Sequence, residues 1–175
     1  ITDASGRTLS GQTLDAFLAS VQHDENIFSV GLNCSFGAED MRPYLQALSE
    51  RSPYYISAHP NAGFPDEEGI YTETPQMMAE AIKSFADDMS VNIVGGCCGS
   101  TPEHIRAISH IVEARKARSL PVTGKVDWLA GMESYSPAEG MFINVGERCN
   151  VAGSRKFLRL IKEKQYDEAL AIARK

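Results

Sequence analysis

The sequence predicts an α/β fold built from parallel βα units, and three features point to it. Short apolar runs, rich in β-branched residues, alternate with amphipathic stretches of helical spacing. The runs end in clusters of small or turn-forming residues, and two helix starts carry a Thr-Pro pair suited to a cap and first turn. The runs also read as apolar on both faces, as strands buried in a parallel sheet do.

The elements follow in order. Leu14, Phe17, Leu18 and Val21 share one helical face. Phe28–Cys34 reads as a strand ending in a cysteine. Met41, Tyr44, Leu45 and Leu48 recur at helical spacing, and Tyr54–Ala58 forms a second strand, stopped by His59-Pro60-Asn61-Ala62-Gly63. A long polar loop passes through Pro65, Asp66 and Gly69. Thr74-Pro75 opens a helix whose apolar face is Met78, Ile82, Phe85 and Met89. Val91–Val94 is the third strand and runs into Gly95-Gly96-Cys97-Cys98-Gly99. Thr101-Pro102-Glu103 starts a helix with the stripe Ile105, Ile108, Ile111 and Val112. These units cover about a third of what a complete (β/α)8 barrel needs, roughly 250 residues. Part of a barrel or a smaller open sheet is therefore expected. Residues 119–140 hold turn formers without sustained periodicity and read as a linker. Met141–Val145 reads as a new apolar strand, followed by two helices marked by Phe157, Leu158, Ile161 and by Tyr166, Leu170, Ile172.

Composition limits the function classes. The chain has 175 residues, of which 43% are apolar, enough for a hydrophobic core. Its net charge of −6 disfavours nucleic acid as a partner, because phosphate contacts need clustered Lys and Arg. No apolar run approaches the ~18–20 residues of a membrane span, and the first twenty residues lack a signal-peptide core. The four cysteines include no CxxC, which fits a reducing, cytoplasmic setting better than a disulfide scaffold. The chain starts at Ile1 and keeps helical character to its end, so a piece of something longer is expected.

Cys34 and the Cys97-Cys98 pair each follow a strand directly, and in parallel α/β barrels such strand ends converge on the active face. Three thiolates can take three positions of a tetrahedral Zn²⁺ and leave the fourth open, the mark of a catalytic site. Zn²⁺ with three thiolates is net −1, a weak Lewis acid toward water but able to hold a substrate thiol as thiolate. Such a site suits alkyl transfer to a thiol better than hydrolysis. The competing reading makes the cysteines small buried hydrophobes. Asn33 and Asn61 can hydrogen-bond a polar substrate or simply form turns. His59 can line the same face or bond to backbone. His104 and His110 lie on a helix, exposed or satisfied locally. Glu147, Arg148 and Asn150 follow the Met141–Val145 strand and can read the edge of a heterocycle, or form an ordinary charged turn.

Gly31-Leu32-Asn33-Cys34, Ala58-His59-Pro60-Asn61-Ala62-Gly63 and Asn92–Gly99 resemble the homocysteine-binding module of homocysteine methyltransferases, as does the stretch 2–11. Phe142–Asn150 resembles the opening of a folate-binding barrel. In tandem, the modules resemble the cobalamin-dependent methionine synthase family. The resemblance implies a partial (β/α)8 TIM barrel over 1–120, a linker over 121–140 and the first unit of a second TIM barrel over 141–175. It implies Cys34, Cys97 and Cys98 as zinc ligands and Glu147 and Asn150 in a folate (pterin) site, and Asn33 is expected among the substrate-binding residues. It further implies methyl transfer to homocysteine from methylcobalamin, itself remade from methyltetrahydrofolate. No Asp-x-His-x-x-Gly occurs, so the cobalamin module would lie elsewhere in a parent chain. The chain alone is expected to be inactive and to self-associate through uncovered strand edges. Two other readings compete: a non-catalytic zinc-binding or interaction module with structural cysteines, and a thiol-exchange protein using Cys97-Cys98.

Overall fold

The computed structural model describes residues 5–121, 128–137, 140–143 and 149–174. The chain divides into two compact units, Ile1–Ser136 and Pro137–Lys175.

The first unit opens with α1 (Leu14–Val21), whose first turn is capped by Thr13 Oγ1 accepting from the Ala16 N–H at 3.2 Å. Next come β1 (Ser29–Asn33), α2 (Ala38–Arg51), β2 (Tyr55–His59), α3 (Pro75–Asp87), β3 (Ile93–Val94) and α4 (Pro102–Val112). The three strands pair in parallel in the order β1-β2-β3. Ser29 lies opposite Tyr55 and Asn33 opposite His59, while Ser57 and Ala58 face Ile93 and Val94. This is a parallel βα fragment as expected from the sequence.

One sheet face carries the core. Val30, Leu32, Ile56 and Ala58 are buried with Met41, Leu45 and Leu48 of α2 and with Met78, Ile82 and Phe85 of α3. Alternation puts the neighbouring residues on the opposite face, where Gly31, Asn33 and Tyr55 are exposed and Ser57 and His59 half-buried. The expectation of strands apolar on both faces is therefore corrected. Apart from Tyr55 and the half-buried Ile93, which pairs with Ser57, this second face is small or polar, and the core packs on the first.

Three further differences have identifiable causes. Met89 does not extend the α3 stripe. It sits in the left-handed region (φ 50°), and its N–H donates to Ala86 O while the Ser90 N–H donates to Phe85 O, a Schellman stop that turns Met89 outward. On α4 the buried stripe runs through His104 and Ile108, which leaves Ile105 on the exposed side. β3 is shorter than the run Val91–Val94, because the Asn92 side chain leaves the regular pattern. Its Oδ1 accepts from the Ile56 N–H at 3.0 Å, and its Nδ2 donates to Arg118 O at 2.7 Å.

Arg118 closes this unit from the far end of the sheet. Its guanidinium is buried and donates to the carbonyls of Ser49, Ser52 and Tyr54 at 2.6–3.0 Å. Burial lowers its pKa. A cation beside the last carbonyls of α2 also suits the negative end of that helix. Within 121–140, β4 (Leu129–Ala130) and β5 (Ser134–Tyr135) form an antiparallel hairpin. The hairpin is tied to the start of the unit: the Thr13 N–H donates to Met132 O at 2.9 Å, and Arg7 pairs with Glu133.

The second unit contains α5 (Arg155–Lys162) and α6 (Tyr166–Ala173), where the sequence places two helices. Among its described residues, Leu160 and Ala169 are buried. Of the strand read at Met141–Val145, residues 144 and 145 lie outside the described residues, and 141–143 are irregular with Phe142 exposed. Among the described residues, no helix is long and apolar enough to cross a membrane.

Candidate metal centre

The residues after β1, β2 and β3 meet at the C-terminal end of the sheet. β1 and β3 are not neighbours, and two strand spacings amount to about 10 Å. Bringing Cys34 against Cys98 therefore requires both loops to curl over the end of β2. Cys34 (φ 61°) and Ser35 (φ 65°) do so in consecutive left-handed conformations, which non-glycine residues adopt only where surrounding contacts hold them. The Cys34 N–H donates to His59 O at 2.9 Å, and the Phe36 N–H to Cys34 O at 2.7 Å. On the other side, the Cys97 N–H donates to Pro60 O at 2.8 Å and the Ala62 N–H to Cys98 O at 2.9 Å. Loop 60–62 is thus laced to both cysteine loops.

The result is a cluster of three sulfurs lying within 4.8 Å of one another. Cys34 Sγ is 3.5 Å from Cys98 Sγ, and Cys97 Sγ is 4.0 Å from Cys98 Sγ. Four thiolates about a tetrahedral zinc at ~2.3 Å stand ~3.8 Å apart, so these edges match a zinc-sized ion. Cys98 is exposed, whereas Cys34 and Cys97 are half-buried, so the cluster opens outward on one side. The donor set and spacing fit the metal that the sequence suggests, with Cys34, Cys97 and Cys98 able to hold it.

The thiols are not equivalent. Cys34 is held below the usual thiol range, first by the Ser35 backbone N–H and then by hydrogen bonds from Cys98 and Cys97. Burial pushes Cys97 up, with hydrogen bonds to Cys34 and Cys98 adding to the rise. Cys34 is therefore the anion-favouring member and Cys97 the proton-retaining one.

Asn61 organises the cluster. It is buried, its Oδ1 accepts from the Cys98 N–H at 3.2 Å, and its backbone N–H donates to Phe36 O, in the loop after Cys34, at 3.0 Å. The sequence allowed Asn61 a substrate or turn role; its partners here are the two cysteine loops. Tyr71 was not singled out from the sequence at all. Burial raises its phenol pKa, and a hydrogen bond with Cys98 raises it further. His59 lies over Gly95, where a Cβ would come within 2.7 Å of its ring. Glu73 is raised by burial, then by Glu39, with His104 opposing. Glu73 Oε2 has no hydrogen-bond partner among the described residues. His104 is buried and locally satisfied: Nδ1 accepts from the Thr101 N–H at 3.2 Å, so the proton sits on Nε2 and donates to Glu73 O at 3.0 Å.

The other sequence candidates stand as follows. Asn33 ends β1 on the open sheet face and is exposed. Glu147 lies outside the described residues. Asn150 belongs to the second unit and is exposed, and its Oδ1 accepts from the Ala152 and Gly153 N–H groups. Cys149 is exposed and also belongs to the second unit.

The fold and site are those of a parallel α/β protein whose strand ends carry three converging thiols able to hold a metal ion. The family model of homocysteine S-methyltransferases matches residues 1–112, a span that includes all three cysteines. The chain belongs to the homocysteine S-methyltransferase family.

Proposed function

We propose that this chain is the part of a cobalamin-dependent methionine synthase that holds homocysteine for methylation at sulfur. In this reading, residues 1–120 form the C-terminal half of a homocysteine-binding barrel, 121–140 a linker and 141–175 the start of a folate barrel. The convergence of Cys34, Cys97 and Cys98 within 4.8 Å, in a family that acts on a thiol, carries the reading. Cys34, Cys97 and Cys98 would hold zinc, which would supply the charge stabilisation that keeps a substrate sulfur as thiolate near neutral pH.

The chain's own residues do the rest. The open side at Cys98 admits the substrate thiol, and Asn61 keeps the two cysteine loops in register with that opening. Asn33, at the rim of the open sheet face, contacts the polar end of homocysteine. Methylcobalamin, carried by a module outside this chain, would supply the methyl group, with methyltetrahydrofolate as its source. Glu147 and Asn150 contribute to the folate site. The protein works in the cytoplasm, where thiols stay reduced.

Elemental analysis under reducing conditions tests the site. About one zinc per chain is expected in the native sequence, and most of it is lost in Cys97→Ser. Zinc absent from both, or unchanged in the variant, would overturn the reading. β1 and β3 edge the three-stranded sheet, so the chain also associates with copies of itself. A monodisperse monomer at all concentrations in sedimentation velocity would contradict that part.

A further inference from the structure

The open face of the sheet holds polar side chains that no other described residue engages. Asn33 ends β1 and lies opposite His59, the last residue of β2. Val94 lies opposite Ala58, and the Gly95 N–H donates to Ala58 O at 3.0 Å, so Gly95 carries the same row on past β3. His59 leans along this row toward Gly95, where a Cβ would come within 2.7 Å of His59 Cδ2 and 3.2 Å of Nε2. Two residues earlier the lean is reversed: Ser57 lies over Gly31, where a Cβ would meet Ser57 Oγ at 2.2 Å. The two glycines let the side chains of β2 lie flat over opposite neighbours. That leaves a shallow trough between Asn33 and His59, with Ser57 and Gly31 as its floor. The side chains of Asn33, Ser57 and His59 make no hydrogen bond to any described residue. Their polar atoms stay open to solvent, unlike the buried orphans Glu73 Oε2 and Trp128 Nε1. β1, β2 and β3 contain no Asp or Glu, so these strands bring donors to the trough and no carboxylate.

We propose that His59, together with Asn33 and Ser57, is a specificity-determining residue that hydrogen-bonds the carboxylate of the thiol substrate. The inference rests on the reading of Cys34, Cys97 and Cys98 as the site that holds a substrate thiol. The Cys34 N–H donates to His59 O at 2.9 Å, and both cysteine loops curl over the end of β2, so the sulfurs stand at the head of the trough. Four bonds separate the sulfur of homocysteine from its carboxylate carbon, a reach comparable to one strand spacing of about 4.8 Å. A thiol held at the cluster therefore brings its carboxylate to the imidazole N–H, the Asn33 amide and the Ser57 hydroxyl. An ammonium group would need a carboxylate that these strands lack. A site built to hydrogen-bond a charged group rejects the analogue without it, because the donors then lose their partner.

The test uses the whole chain loaded with Co²⁺ and two probes that divide the polar end of homocysteine. γ-Mercaptobutyrate keeps the carboxylate and lacks the amino group, and γ-mercaptopropylamine does the reverse. Dissociation constants are read from the sulfur-to-cobalt charge-transfer band as each thiol is added. The ratio of the two constants is compared between proteins, so that differences in thiol acidity cancel. His59→Phe keeps a ring over Gly95 and removes both nitrogens. It is expected to lose about tenfold of the native preference for γ-mercaptobutyrate, with γ-mercaptopropylamine bound as before. Asn33→Ala, at an exposed position, should lose preference in the same sense. A ratio unchanged in His59→Phe would overturn the proposal, as would an equal weakening of both probes, which a merely structural ring would produce. Should His59→Phe fail to fold, a native ratio in Asn33→Ala overturns it in the same way. A native chain that binds no cobalt, or binds cobalt and neither thiol, would instead overturn the reading of the cysteine cluster, and this inference with it.

Discussion

Asn61→Ala separates the scaffold of the cysteine cluster from the cysteines themselves. Asn61 is only 6% exposed, and its Oδ1 is the acceptor for the Cys98 N–H at 3.2 Å. Truncation removes that bond and leaves the part-buried Cys98 N–H without its acceptor, a loss of about 1–3 kcal/mol. With a urea m-value of ~1–3 kcal/mol/M for a small protein, the midpoint should fall by roughly 1 M at an unchanged slope. The same change loosens the loop that carries Cys98, so zinc affinity should drop about 10–100-fold. Urea unfolding followed by circular dichroism reads the first effect, and chelator competition the second. Asn61→Asp provides the contrast: it keeps an acceptor for Cys98 and so costs less stability. It also sets a negative charge beside Cys34, which moves the pH profile of Cys34 alkylation upward. An Asn61→Ala protein with native midpoint and native zinc affinity would refute the role given to this side chain.

The remaining predictions concern the frame around the site. Arg118→Met removes the donor from the carbonyls of Ser49, Ser52 and Tyr54, and should cost about 3 kcal/mol in urea unfolding, at roughly 1 kcal/mol per orphaned carbonyl. A loss under about 0.5 kcal/mol, the usual range of surface substitutions, would show that the fork is not a tie. Glu73 has a raised carboxyl pKa, so the folded state holds this proton more tightly than the unfolded chain does. Its contribution favours folding below the unfolded value and is lost as pH rises through the folded value. Glu73→Gln should therefore raise the thermal midpoint at pH 7 relative to the native chain, and the gain should vanish near pH 4. An equal gain at both pH values would exclude the charge as its cause.

Much of the scaffold is legible in the residues. The i, i+3, i+4 spacing of Leu14, Phe17, Leu18 and Val21 gives α1 within its observed bounds, and Thr74-Pro75 marks the start of α3. The ends of elements are less legible. Met89 fits the apolar period of α3, yet a Schellman stop turns it outward, and the competing period through His104 and Ile108 displaces Ile105. Asn92 shortens β3 because its side chain bonds Ile56 and Arg118, which lie 36 and 26 positions away in the chain. Such partners leave no local trace.

The donor types and their places after strands are written in the sequence: Cys34 after one apolar run, Cys97 and Cys98 after another, with Asn61 between them in the turn that ends β2. Periodicity and turn chemistry act over a few residues, so they fix elements and the residues that follow them. Convergence is non-local. It depends on β2 lying between β1 and β3, on the parallel register that pairs Asn33 with His59, and on loop 60–62 lacing both cysteine loops together. Only the tertiary structure decides that Cys34 bends back through two left-handed residues to meet Cys98, and that Tyr71, after a long polar loop, closes on Gly99. Strained backbone and close ring packing are held by contacts between segments distant in the chain, and those contacts exist only once the sheet has formed.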